Sequence, residues 1–396
     1  PRQSIQPAEL AVVYNSNDPT SKSLAETYVS KRGIPQQNLL SVKLPADKSS
    51  VPPKDFKPQM QSVLSSVDDG IQRYALAWMD PYRVGCMSIT TAFAVGGYSD
   101  EYCNTSGGSC SRTKAVSYHD SETTRPWSDE KIRPAMMLAG RKKEDVEKLI
   151  DRGVSADDSF PGGTGYMIRT TDKPRSSRWR DMSRASQIWS SMMAGLEIVY
   201  RDNSDGSKSN LLANKQDVLF YLTGLTRVDK LETNDYRPGA VGDHLTSFGG
   251  KLSSFGGQMS AVEWLEAGLT ASYGTVVEPC NYPQKFPQPS ALIEHYYRGA
   301  TLLEAYWKSV AWPGEGVFIG EPLASPWGRS FVRLESDTLT VETTMLSPDA
   351  TYELVGRPEP GASPETVVDS ITVDVPHRRT ITVDGPKHEL YTLRRK

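Results

Sequence analysis

Short apolar runs alternate with amphipathic helical patterns along the first 328 residues, and this alternation limits the possible folds more than any other feature. The run ELAVVYNSND at 9–18 has the pattern of a buried strand, and the helical segment after it is stopped by Gly33 and Pro35. Similar strand patterns recur between further helical segments, namely NLLSVKLP, RYALAWMD, TGYMIRTTD, DVLFYLTG and GVFIGEPLA. Apolar strands separated by helices are typical of parallel sheets. The sequence therefore predicts an α/β fold, with a mainly parallel sheet flanked by helices.

The pattern changes after about residue 328. The stretches DTLTVETT, ATYELVG, SITVDV and RTITVDG alternate apolar and polar residues, and Pro, Gly and Asp separate them. Alternation with a period of two is typical of antiparallel strands that are buried on one face. We therefore expect a small C-terminal antiparallel β-sandwich.

These patterns divide the chain into three expected domains. An N-terminal α/β subdomain occupies 1–160, a second α/β subdomain occupies 161–328, and the β-sandwich occupies 329–396. The segment 97–134 interrupts the alternation, because it is rich in Ser, Thr, Asp and Arg. We interpret it as a long surface excursion of the first subdomain.

Composition and spacing exclude several functions. The formal net charge is −3 and no run of five or more basic residues occurs, so we expect no nucleic-acid partner. No apolar run approaches the roughly 18 residues that a membrane-spanning helix needs. The cysteines and histidines lack the spacing of a zinc site, and no stretch has the spacing of a nucleotide-binding or calcium-binding loop. The sequence therefore predicts no metal and no cofactor.

The four cysteines suggest disulfide bonds and export. Cys103 and Cys110 flank a loop, CNTSGGSC, whose glycines would allow it to close on itself, so we expect a disulfide between them. Cys280 has three interpretations: a disulfide with Cys86, a plain buried thiol, or a nucleophile. The even number of cysteines, and a chain that starts at Pro1 rather than Met, favour an exported protein.

The densest reactive chemistry lies in the stretch GDHLTSFGG at 242–250. His244 follows a short strand, and Cys280 follows a later strand in GTVVEPC. If both strands belong to one parallel sheet, both side chains reach the same edge. An imidazole within hydrogen-bonding reach converts a cysteine into a thiolate nucleophile. One hypothesis is therefore a thiol site, in which Cys280 attacks a peptide carbonyl and His244 carries the proton.

Five further residues would complete such a site. Asp243 or Glu278 would orient or tune the histidine, and the backbone N–H groups of Gly249 and Gly250 would bind an oxyanion. Ser247 is a candidate binding residue. A Ser-His-Asp triad from this stretch alone is disfavoured, because adjacent residues on a strand point to opposite faces.

His244 and the nearby arginines could also have purely structural roles. A histidine beside an aspartate at a strand end often has its hydrogen bonds satisfied within the fold. The arginines of RSSRWR at 175–180 could bind an anion, but a solvated, salt-bridged surface is the simpler interpretation.

From Asp217 to Leu323 the order of features resembles the gingipain-type cysteine peptidases, which are relatives of the caspases. That family has an apolar strand that ends in a His-Gly turn, then a strand that ends in the nucleophilic cysteine, and later a GTV strand and a β domain. DVLFYLTG, AVGDHLTSFGG, GTVVEPC, LLEAYW and VFIGEPLA follow in the matching order. The resemblance implies a caspase/gingipain-like fold without its chemistry, because Gly224-Leu225 replaces the His-Gly turn and 242–244 lacks the cysteine.

Longer strings resemble a bacterial family that accompanies exosortase protein-sorting systems. They include YRVGCMSITTAF, RPAMMLAG, DHLTSFGG, YGTVVEPCNYPQKFP and SVAWPGEGVFIGEPLA. This resemblance implies an exported protein of the periplasm, the cell surface or the extracellular space.

We therefore expect an exported protein of the cell envelope: a degenerate, peptidase-like binding or assembly protein with a protein or peptide partner. One alternative is an active cysteine hydrolase or transpeptidase that uses His244 and Cys280. The other is a structural subunit of a surface layer or filament.

Overall fold

A computed structural model describes residues 4–105, 110–190, 195–253, 257–361, 363, 365–374 and 378–396. Its strands, in chain order, are β1 (Leu10–Asn15), β2 (Leu39–Val42), β3 (Ser50–Val51), β4 (Arg73–Leu76), β5 (Arg83–Val84), β6 (Met87–Ser88), β7 (Ala135–Met137), β8 (Gly163–Arg169), β9 (Leu196–Asp202), β10 (Val218–Thr223), β11 (Tyr236–His244), β12 (Ala271–Thr275), β13 (Gly316–Gly320), β14 (Phe331–Glu335), β15 (Thr338–Thr343), β16 (Ala350–Arg357), β17 (Thr366–Val373), β18 (Arg379–Asp384) and β19 (Leu390–Arg395). The α-helices are α1 (Ser21–Arg32), α2 (Pro53–Ser66), α3 (Ile89–Ala94), α4 (Pro126–Glu130), α5 (Lys143–Ala156), α6 (Trp179–Ile188), α7 (Val262–Glu266), α8 (Pro289–Tyr297) and α9 (Leu302–Lys308).

One ten-stranded sheet forms the centre of the protein, in the order β2-β1-β4-β7-β13-β12-β11-β10-β8-β9. The first five strands in this order are parallel to one another, and so are the last five. The two blocks meet at β13 and β12, which pair antiparallel. The expected mainly parallel α/β sheet is therefore confirmed. Because the blocks run in opposite directions, the strands of the second block end where those of the first block begin.

The strand and helix signals in the sequence act locally as expected. Strand β10 is buried at all six positions, which suits a central strand covered on both faces. Helix α1 ends at Gly33, whose φ of 62° lies in the left-handed region that glycine adopts at little cost. The N–H of Gly33 then bonds back to the carbonyl of Ser30, which closes the last turn.

The segment 97–134 contributes to the core. Tyr118 is fully buried within it, and its hydroxyl accepts a hydrogen bond from Arg73 at 2.9 Å. Arg73 also forms a buried ion pair with Glu304 of α9 at 2.6 Å. Outside the core, Glu122 pairs with Arg298 just after α8. These contacts connect the segment to α9 and to the end of α8, although its sequence has the composition of a surface loop.

Beyond residue 328, the chain forms two three-stranded antiparallel sheets, β14-β15-β18 and β17-β16-β19. This confirms the antiparallel strands expected from the alternating pattern. The edge strand β14 leaves Val332 and Leu334 exposed, at 63% and 65% of their surface. Among the described residues, no helix has the length and apolar character needed to cross a membrane.

Both expected disulfide pairings are wrong. Cys86 is bonded to Cys103, and Cys110 is bonded to Cys280. The expected Cys103–Cys110 bond rested on the short loop between them, and the Cys86–Cys280 alternative on the positions of both residues after strands. The fold instead brings the Cα atoms of each actual pair to 5.7 Å. Spacing along the chain could not reveal this, because it carries no information about which loops meet.

The two disulfides should stabilise the protein to different extents. Removing the pair that spans 170 residues, by Cys110→Ser with Cys280→Ser, should lower the free energy of unfolding by roughly 5 kcal/mol. Removing the pair that spans 17 residues, by Cys86→Ser with Cys103→Ser, should cost about 3 kcal/mol. The longer cross-link restricts the unfolded chain more. Guanidinium denaturation of both double variants checks the order, and the reverse order would contradict this explanation.

Candidate functional site

The carboxyl ends of β8, β11 and β12 surround a cavity of about 230 Å³. Three loops line it, at 174–175 after β8, at 245–247 after β11 and at 278–281 after β12. The loops meet because the strands of the second block are parallel and end at the same edge. This is the edge at which the sequence predicts the reactive residues.

Cys280 is not a free nucleophile. Its sulfur is bonded to that of Cys110, and none of the four cysteines has a free thiol. A thiolate is the reactive form of cysteine, and neither sulfur can form one while the bond is intact. In this disulfide-bonded form Cys280 cannot act as the nucleophile of the expected thiol hydrolase or transpeptidase.

His244 is held within the fold by both of its ring nitrogens. The indole N–H of Trp264 donates to Nδ1 at 2.9 Å, so the ring carries its proton on Nε2. That nitrogen lies 3.1 Å from the carbonyl oxygen of Met259 and donates to it. Only 1% of the residue is exposed, and burial lowers the pKa of His244 to about 3. The residue is therefore a neutral, structural histidine and not a proton carrier.

Asp243 points to the opposite face of the sheet and forms a buried ion pair. Its Oδ1 lies 2.6 Å from Nη2 of Arg178, and each side chain is 1% exposed. Arg178 also donates to the carbonyl oxygens of Thr223 and Pro287, at 2.9 Å each. Burial raises the pKa of the Asp243 carboxyl, and the charge of Arg178 opposes this effect. Asp243 therefore braces α6 against β10 and β11 and cannot orient His244.

The paired glycines after β11 permit a close backbone contact. A Cβ on Gly250 would lie 2.4 Å from the carbonyl oxygen of Gly274, and a Cβ on Gly274 would lie 2.3 Å from Gly249. The N–H of Gly250 donates to the carbonyl oxygen of Thr275 at 2.9 Å. This N–H is therefore occupied, and it does not form the expected oxyanion site.

Glu278 and Ser247 both line the cavity. Glu278 is exposed, and its Oε1 accepts the backbone N–H of Cys280 at 2.9 Å. The carbonyl oxygen of Ser247 accepts the hydroxyl of Thr275 at 3.0 Å. Of the predicted site residues, the structure thus brings Ser247, Glu278 and Cys280 together.

The turn after β10 leaves no room for a side chain at residue 224. Gly224 follows β10, and a Cβ there would lie 1.9 Å from the carbonyl oxygen of Arg175. The hydroxyl of Thr170 donates to the Gly224 carbonyl at 2.7 Å and holds the same loop in place. No side chain fits at this position without displacing the loop after β8.

Arg175 is the functional candidate that the sequence did not single out. The stretch RSSRWR was interpreted as solvated surface, but Arg178 is buried and Arg175 lines the cavity. Nε of Arg175 donates to the hydroxyl of Thr246 at 3.0 Å, and Nη1 pairs with Asp172 at 2.9 Å. Nη2 has no hydrogen-bond partner among the described residues. The dense run of arginines was the available signal, but nothing in it distinguishes a buried arginine from an exposed one.

No protein-family model matches the chain, and the search of curated proteins found no match. Among solved structures, the chain is similar to one described as "Structure of Protease", with a TM-score of 0.46 and 10% sequence identity. The similarity covers 99% of this chain and 97% of that one. The two disulfides are compatible with an exported protein.

Gly224→Ala should destabilise the protein by about 1–3 kcal/mol or more, because the new methyl group overlaps the carbonyl of Arg175. Gly162→Ala is the matched control, since its nearest neighbour is 3.7 Å away. Chemical denaturation of both variants measures the difference. Equal, small losses would show that the loop after β8 moves aside freely.

The buried histidine should make stability depend on pH. The unfolded chain binds a proton at His244 below about pH 6.5, whereas the folded chain does so only near pH 3. The unfolded state thus holds more protons in this window, so stability should fall as the pH is lowered, by up to about 1.4 kcal/mol per unit.

His244→Gln should be less stable than the natural protein at pH 7, but its stability should change less between pH 7 and 4. Denaturant titrations across this range test the difference, with His388→Gln as the control for a histidine in the C-terminal sheets. An unchanged pH slope in His244→Gln would contradict the role of burial.

Proposed function

We propose that this chain is an exported, caspase/gingipain-like protein of the cell envelope that has lost peptidase chemistry and binds a peptide or protein partner. One observation carries the proposal. At the sheet edge where the related peptidases keep their base and thiol, this chain has Gly224, Asp243 and His244, and internal contacts engage all three. The order of the strands and turns from β10 to β13 supports the family resemblance.

Moving Asp243 or His244 out of its internal contacts would cost free energy. Moving Asp243 toward a substrate would leave the Arg178 guanidinium buried without its partner, which costs about 3–5 kcal/mol. Moving His244 would leave the Trp264 indole N–H and the Met259 carbonyl without their bonds. These residues therefore stabilise the edge and take no part in a reaction.

The cavity at this edge suits the end of a peptide chain. Its volume of about 230 Å³ is below the roughly 300–1,000 Å³ of pockets that enclose drug-sized ligands. Arg175 is held at two of its nitrogens, so the third is fixed beside the cavity, and guanidinium groups bind carboxylates strongly. Ser247 and Asn281 add polar groups to the lining. We assign a peptide carboxylate as the ligand because Arg175 and these polar groups can bind it, against the repulsion of the Glu278 carboxylate, which also lines the cavity.

Fluorescein-labelled pentapeptides with free C-terminal carboxylates test the proposal, with matched peptides that end in amides. The free peptides should bind, and the amidated ones should bind roughly ten- to hundredfold more weakly, because the charged hydrogen bond to Arg175 is lost. Peptides with an internal aspartate distinguish a side-chain carboxylate from a terminal one. Fluorescence anisotropy gives the affinities, and mass spectrometry of the same mixtures should find no cleavage.

Arg175→Ala should weaken binding to the level of the amidated peptides, and Arg175→Lys should recover part of it. Arg180→Ala is the control, because Arg180 lies over the Trp179 ring and does not line the cavity. Equal affinities for the natural protein and Arg175→Ala would overturn the ligand assignment. Cleavage of any peptide by the purified protein would overturn the loss of peptidase chemistry.

A further inference from the structure

The two disulfides lie in different surroundings. Cys103 is 3% exposed and belongs to a hydrophobic cluster, and the Cys86 sulfur lies 3.3 Å from the hydroxyl of Tyr98. Cys110, by contrast, is exposed, and its partner Cys280 is half-buried and lines the cavity. A reductant therefore reaches the exposed Cys110 sulfur directly, whereas the Cys86–Cys103 bond offers it only the half-buried Cys86 sulfur.

The backbone at Cys280 is held in an unfavourable conformation. Its φ of 58° lies in the left-handed region, which residues with a Cβ rarely adopt. Two interactions keep it there: the bond to Cys110 and the hydrogen bond from its N–H to Glu278. Without the disulfide, the loop 278–281 should relax toward ordinary backbone angles.

The disulfide joins this loop to the segment 97–134. On that side, the backbone N–H of Asn104 donates to Glu315 at 2.9 Å, and the N–H of Lys114 donates to the carbonyl oxygen of Glu101 at 2.7 Å. Backbone hydrogen bonds also anchor the chain on both sides of the loop 278–281: the N–H of Val276 donates to the carbonyl oxygen of Glu315, and the N–H of Trp312 donates to that of Gln284, at 2.9 Å each. Cleavage of the bond would free the loop 278–281 to relax between these anchors, and this loop forms one wall of the cavity.

We propose that Cys110–Cys280 is an exchangeable disulfide that controls access to the cavity, which is narrower when the bond is oxidised and wider when it is reduced. The importance of this gate for ligand binding rests on the proposed function. The co-reactant is a dithiol, either a small molecule or a dithiol protein of the cell envelope. The Cys86–Cys103 bond takes no part.

The dithiol reduces the Cys110–Cys280 bond in two steps of thiol–disulfide exchange. One thiolate of the dithiol attacks the exposed Cys110 sulfur and forms a mixed disulfide, and Cys280 leaves as a thiolate. The second thiolate of the dithiol then attacks its own mixed disulfide and releases the Cys110 thiolate. The protein disulfide gains two electrons, the dithiol becomes a disulfide, and the new thiolates take up protons from solvent.

Graded reduction of the folded, full-length protein with dithiothreitol tests the gate. After each step, iodoacetamide alkylates the free thiols, and mass spectrometry of proteolytic peptides identifies them. We expect loss of the 110–280 cross-linked peptide, with alkylation of Cys110 and Cys280, before either Cys86 or Cys103 is labelled. Circular dichroism should show an unchanged fold, and hydrogen–deuterium exchange should become faster at 278–281.

Two double variants, each lacking one disulfide, show which bond controls the loop 278–281. Cys110→Ser with Cys280→Ser should show fast exchange at 278–281 without reductant, whereas Cys86→Ser with Cys103→Ser should still respond to it. Labelling of all four cysteines together, or only on unfolding, would overturn the proposal. So would unchanged hydrogen–deuterium exchange at 278–281 after selective reduction.

The pentapeptides with free carboxylates separate this proposal from the proposed function. Tighter binding after reduction, and in Cys110→Ser with Cys280→Ser, supports both. If the loop 278–281 opens on reduction but no peptide binds in either redox state, control of the loop by the disulfide is supported and the proposed peptide-binding function is refuted. If peptides bind equally in both states, the function stands, and control of access by this disulfide is refuted.

Discussion

The ion pair between Arg178 and Asp243 is the interaction on which the arrangement of this sheet edge depends. Two fully buried charges are tolerated only as a pair, since the loss of either leaves the other without compensation. Arg178 also binds carbonyl oxygens at the end of β10 and before α8, so one guanidinium joins four segments. One buried charge pair therefore fixes the positions of α6, β10 and β11 at this edge.

Close backbone contacts determine what remains open at this edge. Gly249 and Gly250 lie against Gly274, and Gly224 lies against the carbonyl of Arg175, so the loops after β8 and β11 sit directly on the strand ends. What is left is a small cavity, with an arginine on one side and a disulfide-bonded loop on the other. The loop 278–281 forms one side of this cavity, and there Glu278 accepts the backbone N–H of Cys280.

Sequence patterns predicted the elements well and the contacts between them poorly. The alternation of strands and helices, the end of α1 at Gly33 and the change to antiparallel strands after residue 328 are all local signals, and the structure confirms them. The disulfides and the role of Arg178 depend on pairs of distant residues, and there the predictions were wrong. The expected His244–Cys280 pair failed for the same reason: both residues do follow strands at one edge, but each has a better partner on another element.

The sequence by itself determined that the chain forms a mainly parallel α/β sheet followed by antiparallel strands, because apolar periodicity and glycine or proline stops act over a few residues. It also placed the loops after β11 and β12 at one edge, since the carboxyl ends of parallel strands lie together. Only the tertiary structure decided what those residues do. Burial made His244 a neutral hydrogen-bonded residue, paired Asp243 with Arg178 and closed Cys280 into a disulfide with Cys110. Each outcome depends on which side chain from a remote segment packs beside the residue. The sequence alone does not show which distant residues come into contact.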